Sequence, residues 1–271
     1  MANLFLSGCG NELLQSDNIV FNYNQAQLEQ TFFRKLGIRA AATDYYEYKF
    51  GKPQKIRPAS LREYSIHGNL TRETTYDSKG FVLNQNSYSY DAQDYITEKT
   101  VYNNIGTIET HISYKYNPAG KVETELLYNS AGKLLEKGIV KYNETGNKTE
   151  EVFYNAGGSV ESSIIYEYNG GLLNAQRNYN SNDVLESEIK YYYDASGNKN
   201  KEEKTAGQTL EVQLYSNKLL TELYESNNGI LVNKWIYKYD SNGLLLEKTG
   251  YNPNIVIDEP VSAYITTYSK Y

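Results

Sequence analysis

From Tyr45 onward the chain repeats itself, and the period leaves few folds open. Tyr76, Tyr102, Tyr128 and Tyr154 stand 26 residues apart, and Tyr90, Tyr116, Tyr142 and Tyr168 form a second series with the same spacing, 14 residues behind the first. Self-similarity at a fixed period is read before any local signal, because it sets the architecture. Each period divides into half-repeats of 14 and 12 residues. A half-repeat is a four-residue turn followed by a run rich in Val, Ile, Thr and Tyr, which is the content of one strand and one hairpin connection.

The turns carry their own chemistry. In Asn117-Pro118-Ala119-Gly120 the Asn side chain can accept from the backbone two residues on, Pro presets φ, and Gly takes the left-handed conformation of a bulge. Asp77 to Gly80, Asn103 to Gly106, Asn129 to Gly132, Asn143 to Gly146, Asp194 to Gly197 and Asp240 to Gly243 repeat the pattern. Such a turn joins antiparallel neighbours and leaves no room for a crossover. The spacing therefore predicts at least ten sequential antiparallel strands between Tyr45 and Tyr268, with positive φ at Gly120, Gly132 and Gly146.

The turn also sets which residues meet. Tyr102 should face Ile108, Tyr116 should face Val122, Tyr128 should face Leu134 and Tyr154 should face Val160. Side chains alternate along a strand, so Ile108, Thr110, Ile112, Tyr114 and Tyr116 are expected on one packed face and Glu109, His111, Ser113 and Lys115 on a wet one. The 29 tyrosines, against 7 Phe and one Trp, then read as the margin of the core. Each ring covers a neighbour's aliphatic side chain while the hydroxyl reaches water or a turn. Residues 198–223 fit the repeat poorly, with Thr205 at a tyrosine position, and suggest a distorted or protruding strand pair.

The segment before the repeat differs. QAQLEQTFFRKLG, residues 25–37, spaces Leu28, Phe32, Phe33 and Leu36 helically, with Asn24 to cap it, Arg34 and Lys35 at its end and Gly37 to stop it. It is expected to lay an apolar stripe against the sheet, with Phe32 and Phe33 as core anchors. Farther upstream, Leu6-Ser7-Gly8-Cys9 resembles the lipobox of bacterial lipoproteins, in which the cysteine is lipidated. Eight residues precede Cys9 and none is Lys or Arg, so 1–9 reads as the remnant of a lipoprotein signal whose basic and apolar part is expected upstream. The organisation is thus 1–9 remnant signal, 10–43 tether and helix, and 44–271 repeat domain. The fold class is all-β: an extended antiparallel meander forming a curled sheet, with a short N-terminal helix.

Composition narrows the chemistry. A single cysteine excludes an intrachain disulfide, and two histidines, His67 and His111, are too few and too isolated for a zinc site. The net charge of -6 is spread over interleaved Lys and Glu, which argues against a basic nucleic-acid footprint. No nucleophile with a base, carboxylate pair in a cleft or metal set can be nominated. We expect no catalysis and no cofactor.

The motif Y-x-Y-[DN]-x-x-G followed by an aliphatic residue, as in YKYNPAGKV, YEYNGGLL and YKYDSNGLL, resembles the YD repeat of the RHS family of bacterial proteins, over residues 60–250. The resemblance implies an antiparallel sheet extended strand by strand, which in large members spirals into a shell around a toxin. The family's C-terminal core with self-cleaving aspartates has no counterpart here, and no toxin domain is expected. A weaker resemblance is to the aromatic cell-wall-binding repeats of Gram-positive surface proteins, whose shorter period and abundant Trp are missing. A non-catalytic envelope protein follows as the expectation: a binding or scaffold module for a glycan or another envelope protein, held to the membrane only through lipid on Cys9. The alternative is a fragment or relative of a toxin-encapsulating RHS shell.

Overall fold

The computed structural model describes residues 23–254 and 259–271. A helix, α1 (Tyr23–Leu36), leads into eighteen strands. The first nine are β1 (Ile38–Lys49), β2 (Lys52–Tyr64), β3 (Leu70–Tyr76), β4 (Val82–Tyr90), β5 (Ile96–Tyr102), β6 (Ile108–Tyr116), β7 (Val122–Asn129), β8 (Leu134–Tyr142) and β9 (Lys148–Asn155). The rest are β10 (Val160–Asn169), β11 (Leu172–Asn180), β12 (Leu185–Tyr193), β13 (Lys199–Ala206), β14 (Thr209–Ser216), β15 (Leu219–Asn227), β16 (Ile230–Tyr239), β17 (Leu245–Tyr251) and β18 (Pro260–Lys270).

Every strand pairs antiparallel with its chain neighbours, as the turns require, and β18 pairs with β1 from Ile38↔Lys270 to Glu47↔Ser262. The curled sheet expected from the sequence, which left open whether it closes, is therefore a closed 18-strand barrel. Closure satisfies the ladder groups that an open sheet would leave at its two edges. Its first strand begins at Ile38, inside the segment read as tether and helix, and a Thr43–Thr266 hydroxyl contact of 2.9 Å lies on the seam.

The turns form as expected. Asn117 Oδ1 accepts from the amides of Ala119 and Lys121 at 3.0 and 3.1 Å, Gly120 N donates to Asn117 O at 2.9 Å, and Gly120, Gly132 and Gly146 have φ of 72, 73 and 78°. Tyr102↔Ile108, Tyr116↔Val122, Tyr128↔Leu134 and Tyr154↔Val160 are all cross-strand partners.

A second irregularity follows most turns and was not read from the sequence. After Tyr116↔Val122 the next pair is Lys115↔Thr124, so Glu123 is an extra residue; after Tyr102↔Ile108 the next is Val101↔Thr110, so Glu109 is extra. An extra residue reverses the alternation. The turn-proximal end of each strand thus faces opposite to simple counting. Tyr116 and Val122 lie on the face of Ile112 and Tyr114, with Val122 only 6% exposed, whereas Tyr102 and Ile108 lie on the other, with Ile108 42% exposed. In a closed barrel the face that the chain itself buries is the one toward the axis.

The two tyrosine series consequently part. Tyr64, Tyr90, Tyr116, Tyr142, Tyr168, Tyr193, Tyr215, Tyr239 and Tyr268 ring one end of the barrel on its inner face. Tyr76, Tyr102, Tyr128, Tyr154 and Tyr179 ring the other end on the outer face. The expectation that tyrosine marks the packed face holds for the first ring and is corrected for the second.

The helix packs its apolar stripe against the sheet, as expected, at the end carrying the inner ring, on β1 and the β2–β3 and β16–β17 connections. Phe33, 7% exposed, meets Tyr64 edge-on at 4.6 Å and clusters with Ile38, Ala41 and Leu244. Gln30 Nε2 donates to Asn69 Oδ1 at 2.6 Å, and Arg34 Nε donates to His67 O at 2.9 Å. Gly68 admits this approach, since a Cβ there would stand 2.2 Å from the Gln30 carbonyl oxygen. Strands β13 and β14, in the segment expected to distort or protrude, sit regularly in the wall and pair without a register shift.

Candidate functional site: an inner hydroxyl ladder and an outer groove

Two constellations follow from this register. The first is internal. Where a ladder ends one pair short of the turn, the last carbonyl lacks its strand partner, and an unpaired buried carbonyl is costly. The β5–β6 pairing stops at Glu98↔Ser113, and Tyr116 Oη donates to Ile96 O at 2.7 Å. Tyr90 does the same for Leu70 O at 2.8 Å, Tyr142 for Val122 O at 2.6 Å, Tyr193 for Leu173 O at 2.8 Å, Tyr239 for Leu220 O at 2.8 Å and Tyr268 for Leu245 O at 2.9 Å. Phe could fill the same volume but could not cap the strand.

Deeper inside, hydroxyls meet acids. Tyr88 donates to Glu73 at 3.4 Å, Tyr166 to Glu151 at 2.8 Å and Tyr191 to the side-chain oxygen of Gln176 at 3.4 Å, each tyrosine 15 residues after its acceptor. Arg62 pairs with Glu73 at 2.7 Å and Lys148 with Glu151 at 2.6 Å. Glu125 occupies the same repeat position, but 15 residues on stands Val140. Glu125 is 3% exposed and, among the described residues, its Oε2 has no hydrogen-bond partner. Burial first, and then the charge of Glu151, push its pKa up to about 8, because a desolvated carboxylate beside another is disfavoured. Phe153 crosses Gly138 to seal it, for a Cβ on Gly138 would lie 3.2 Å from that ring and 3.6 Å from the Glu125 Cβ.

The second constellation faces outward. Tyr192, Lys201, Leu214 and Glu222 are successive cross-strand partners across β12 to β15. With Asn200 and Thr221 they line a shallow groove of about 630 Å³ at the wall's end, whose lining also takes in Tyr193 and Tyr215 of the inner ring. Asn200 and Thr221 are the extra residues of two register shifts, so the wall is locally widened there. Lys201 Nζ lies 4.0 Å from the Tyr192 ring centroid and 2.9 Å from Glu203, to which Tyr192 Oη donates at 2.6 Å. The Tyr192 hydroxyl, then Lys201, hold the Glu203 carboxyl below its ordinary range. This polar line could take an uncharged polar ligand against an aromatic face.

Of the residues singled out from the sequence, Cys9 lies outside the described residues. His111 stacks on Tyr128 at 4.8 Å on the outer wall, and His67 meets the helix through its carbonyl. Phe33 is a core anchor, as read, and Phe32 packs beside it. Among the described residues no group of three or more His, Cys, Asp and Glu is placed to hold a metal. The groove and the Glu125 position were not found from the sequence. The second was within reach, because aligning the repeats puts Val140 where Tyr88's counterpart belongs.

No family model matches the sequence, and no curated protein matches it. Among solved structures, the chain is similar to a porin-like protein from Bacteroides uniformis at 10% identity and a TM-score of 0.43, covering 86% of this chain and 96% of that one. It is also similar to the Photorhabdus luminescens Tc holotoxin pore at 14% identity and 0.37, covering 81% of this chain and 13% of that chain. A crystal structure of TcdB2-TccC3-TEV gives 14% identity and 0.36, again with only 14% of that chain covered. At such scores these likenesses establish neither a common fold nor a common activity.

Proposed function

We propose that the chain is a non-catalytic binding or scaffold module of the bacterial cell envelope, and that its outward groove over β12 to β15 takes a glycan. The observation that carries this is the cross-strand line of Tyr192, Lys201, Leu214 and Glu222 on one open face. Sugars offer an apolar C–H face for an aromatic ring and hydroxyls for a polar rim. A closed barrel holds such a line rigidly, which reduces the ordering cost of binding. A glycan array on the purified chain, followed by calorimetry on any hit, tests it. Tyr192→Ala and Lys201→Ala should each weaken binding at least tenfold, and a chain that retains none of the glycans overturns it.

The envelope assignment rests on Cys9. Expression of the native gene in a bacterial host should give a membrane-bound product lipidated on Cys9, and Cys9→Ser should release it. A soluble wild-type product with an unmodified thiol defeats that assignment. The ring of YD-like hairpins, with a helix packed at one end, favours a second reading, a relative of a toxin-encapsulating shell. Toxin or immunity genes beside this one would support that reading, and polysaccharide-handling genes would support the first.

A further inference from the structure

The two ends of the barrel differ in a way the glycan reading does not use. Of seventeen large apolar side chains that stand exposed among the described residues, thirteen lie at the rim opposite the helix. Every described hairpin at that rim contributes at least one, including Phe81 at 68%, Ile105 at 79%, Val184 at 56% and Ile230 at 62% exposure. The outer tyrosine ring stands just behind them on the wall. Soluble surfaces scatter such residues singly, whereas here one end gathers them on successive hairpin tips.

The hairpin of β1 and β2 reaches farthest. Residues 52–58 of β2 run beyond its pairing with β3, which begins at Ser60↔Thr75. At its tip Phe50 is fully exposed and sits at φ 52°. Lys49↔Lys52 closes a two-residue hairpin turn, with Gly51 at φ 72°, and such a turn needs positive φ at both central residues. Asn, Asp or Gly usually fills that place, and here an exposed aromatic ring does.

We propose that this rim docks onto a lipid bilayer surface, with the apolar tips entering the headgroup and acyl boundary and the outer tyrosines resting at headgroup level. Amphipathic aromatic rings favour that depth. The wall itself does not span, since the outward Lys137, Lys141 and Lys190 are exposed and charged along the strands where a spanning barrel needs an apolar band. Charge agrees. The described connections at this rim hold Lys79 and Lys133 against Asp77, Asp183 and Glu259, and Lys49 and Lys52 flank Phe50. The helix end holds Asp91, Asp94, Glu144, Asp194 and Asp240 against Lys121 and Lys218 of its connections and Arg34 and Lys35 of α1, so the two ends differ by a small margin. The rim is thus the end least repelled by anionic headgroups. A second copy fits less well, because the tips form an annulus of separate hairpins, each about 10 Å from the next, and a protein interface draws its affinity from a packed centre.

The test uses the full chain carrying Cys9→Ser, so that no acyl chain contributes. Co-sedimentation with vesicles of phosphatidylethanolamine and phosphatidylglycerol should retain it. The combined Phe50→Ser, Phe81→Ser, Ile105→Ser and Ile230→Ser variant, checked for an unchanged circular dichroism spectrum and melting temperature, should partition at least tenfold less. Ile66→Ser with Leu172→Ser at the opposite end should partition like the parent. Phe50→Trp should be quenched by brominated acyl chains. No partition of the parent overturns the proposal, whether the chain is a monomer or forms a dimer that the rim variant separates, and so does quenching absent at position 50. None of these outcomes touches the glycan reading, which the array decides.

Discussion

The arc of wall from β5 to β10 and the arc from β12 to β14 are both runs of antiparallel hairpins with strands of similar length, yet one is sealed and the other open. In the first, Ile96, Ile112, Tyr114, Val122, Val140, Phe153 and Ile164 are buried on the inner face. In the second no residue is fully buried. The cause is side-chain choice at equivalent positions: inner Glu202, Lys204 and Gln213 replace the aliphatics, and Lys199 lies 4.1 Å from the Tyr215 ring while pairing with Glu202 at 2.8 Å. The hairpin ladder holds its register under either content. Closure therefore depends on backbone pairing around the whole ring, while stability is concentrated in one arc.

The largest expected difference is in pH dependence. Glu125 has a folded pKa of about 8 against an ordinary 4.5, so the folded state holds its proton longer than the unfolded one. Stability from this group is full below about pH 4.5 and falls as pH rises toward about 8, by about 4 to 5 kcal/mol in all. Urea denaturation at a series of pH values should show that fall, and Glu125→Gln should remove it. In the open arc the sign is opposite. The lowered carboxyl of Glu203 contributes above its ordinary range and loses that as pH falls, by under about 1 kcal/mol given its exposure. A flat profile that Glu125→Gln leaves unchanged would erase the contrast.

Truncation should separate the arcs next. Ile164→Ala, at a site 3% exposed, should cost about 3 kcal/mol, and Leu214→Ala in the groove under about 1. Equal losses in denaturant midpoint would mean that the sealed arc is not the stability centre.

Hydroxyl removal distinguishes the two tyrosine rings. Tyr116→Phe strips the donor from Ile96 O and should cost about 1 to 2 kcal/mol. Tyr128→Phe should be within about 0.5 kcal/mol, since among the described residues Tyr128 makes no counterpart of that bond. Thermal melts of the pair decide it.

The smallest contrast should be none. Gly132 and Gly197 have φ of 73 and 79°, and a Cβ added at either would meet nothing within 4 Å, so Gly132→Val and Gly197→Val should each cost about 1 kcal/mol through backbone strain alone. Unequal costs would show that the arcs differ in turn geometry as well as filling.

Much of this was legible in the chain and some was not. The Asn-x-x-Gly turns, the four cross-strand tyrosine pairs and a helix within two residues of 25–37 could all be read directly, because each depends on residues close in sequence. The face of Tyr102 and Ile108 could not. An extra residue such as Glu109 carries no distinctive side chain, and a shift of one position reverses everything beyond it. The groove was hidden for a related reason: Tyr192, Lys201, Leu214 and Glu222 come from four half-repeats and meet only through two such shifts.

The sequence by itself determined an antiparallel meander, its turn chemistry, its repeat and the demand for a hydroxylated ring at strand ends, since these are local preferences summed over many copies. Only the tertiary structure decided that the meander closes. The pairing of Ile38 to Glu47 with Ser262 to Lys270 joins residues more than 200 apart, and no local propensity encodes whether twist and stagger accumulated over eighteen strands bring the last edge back to the first. Closure then created an inside and an outside. That is why one tyrosine ring caps carbonyls in the interior and the other stands on the wall behind an apolar rim.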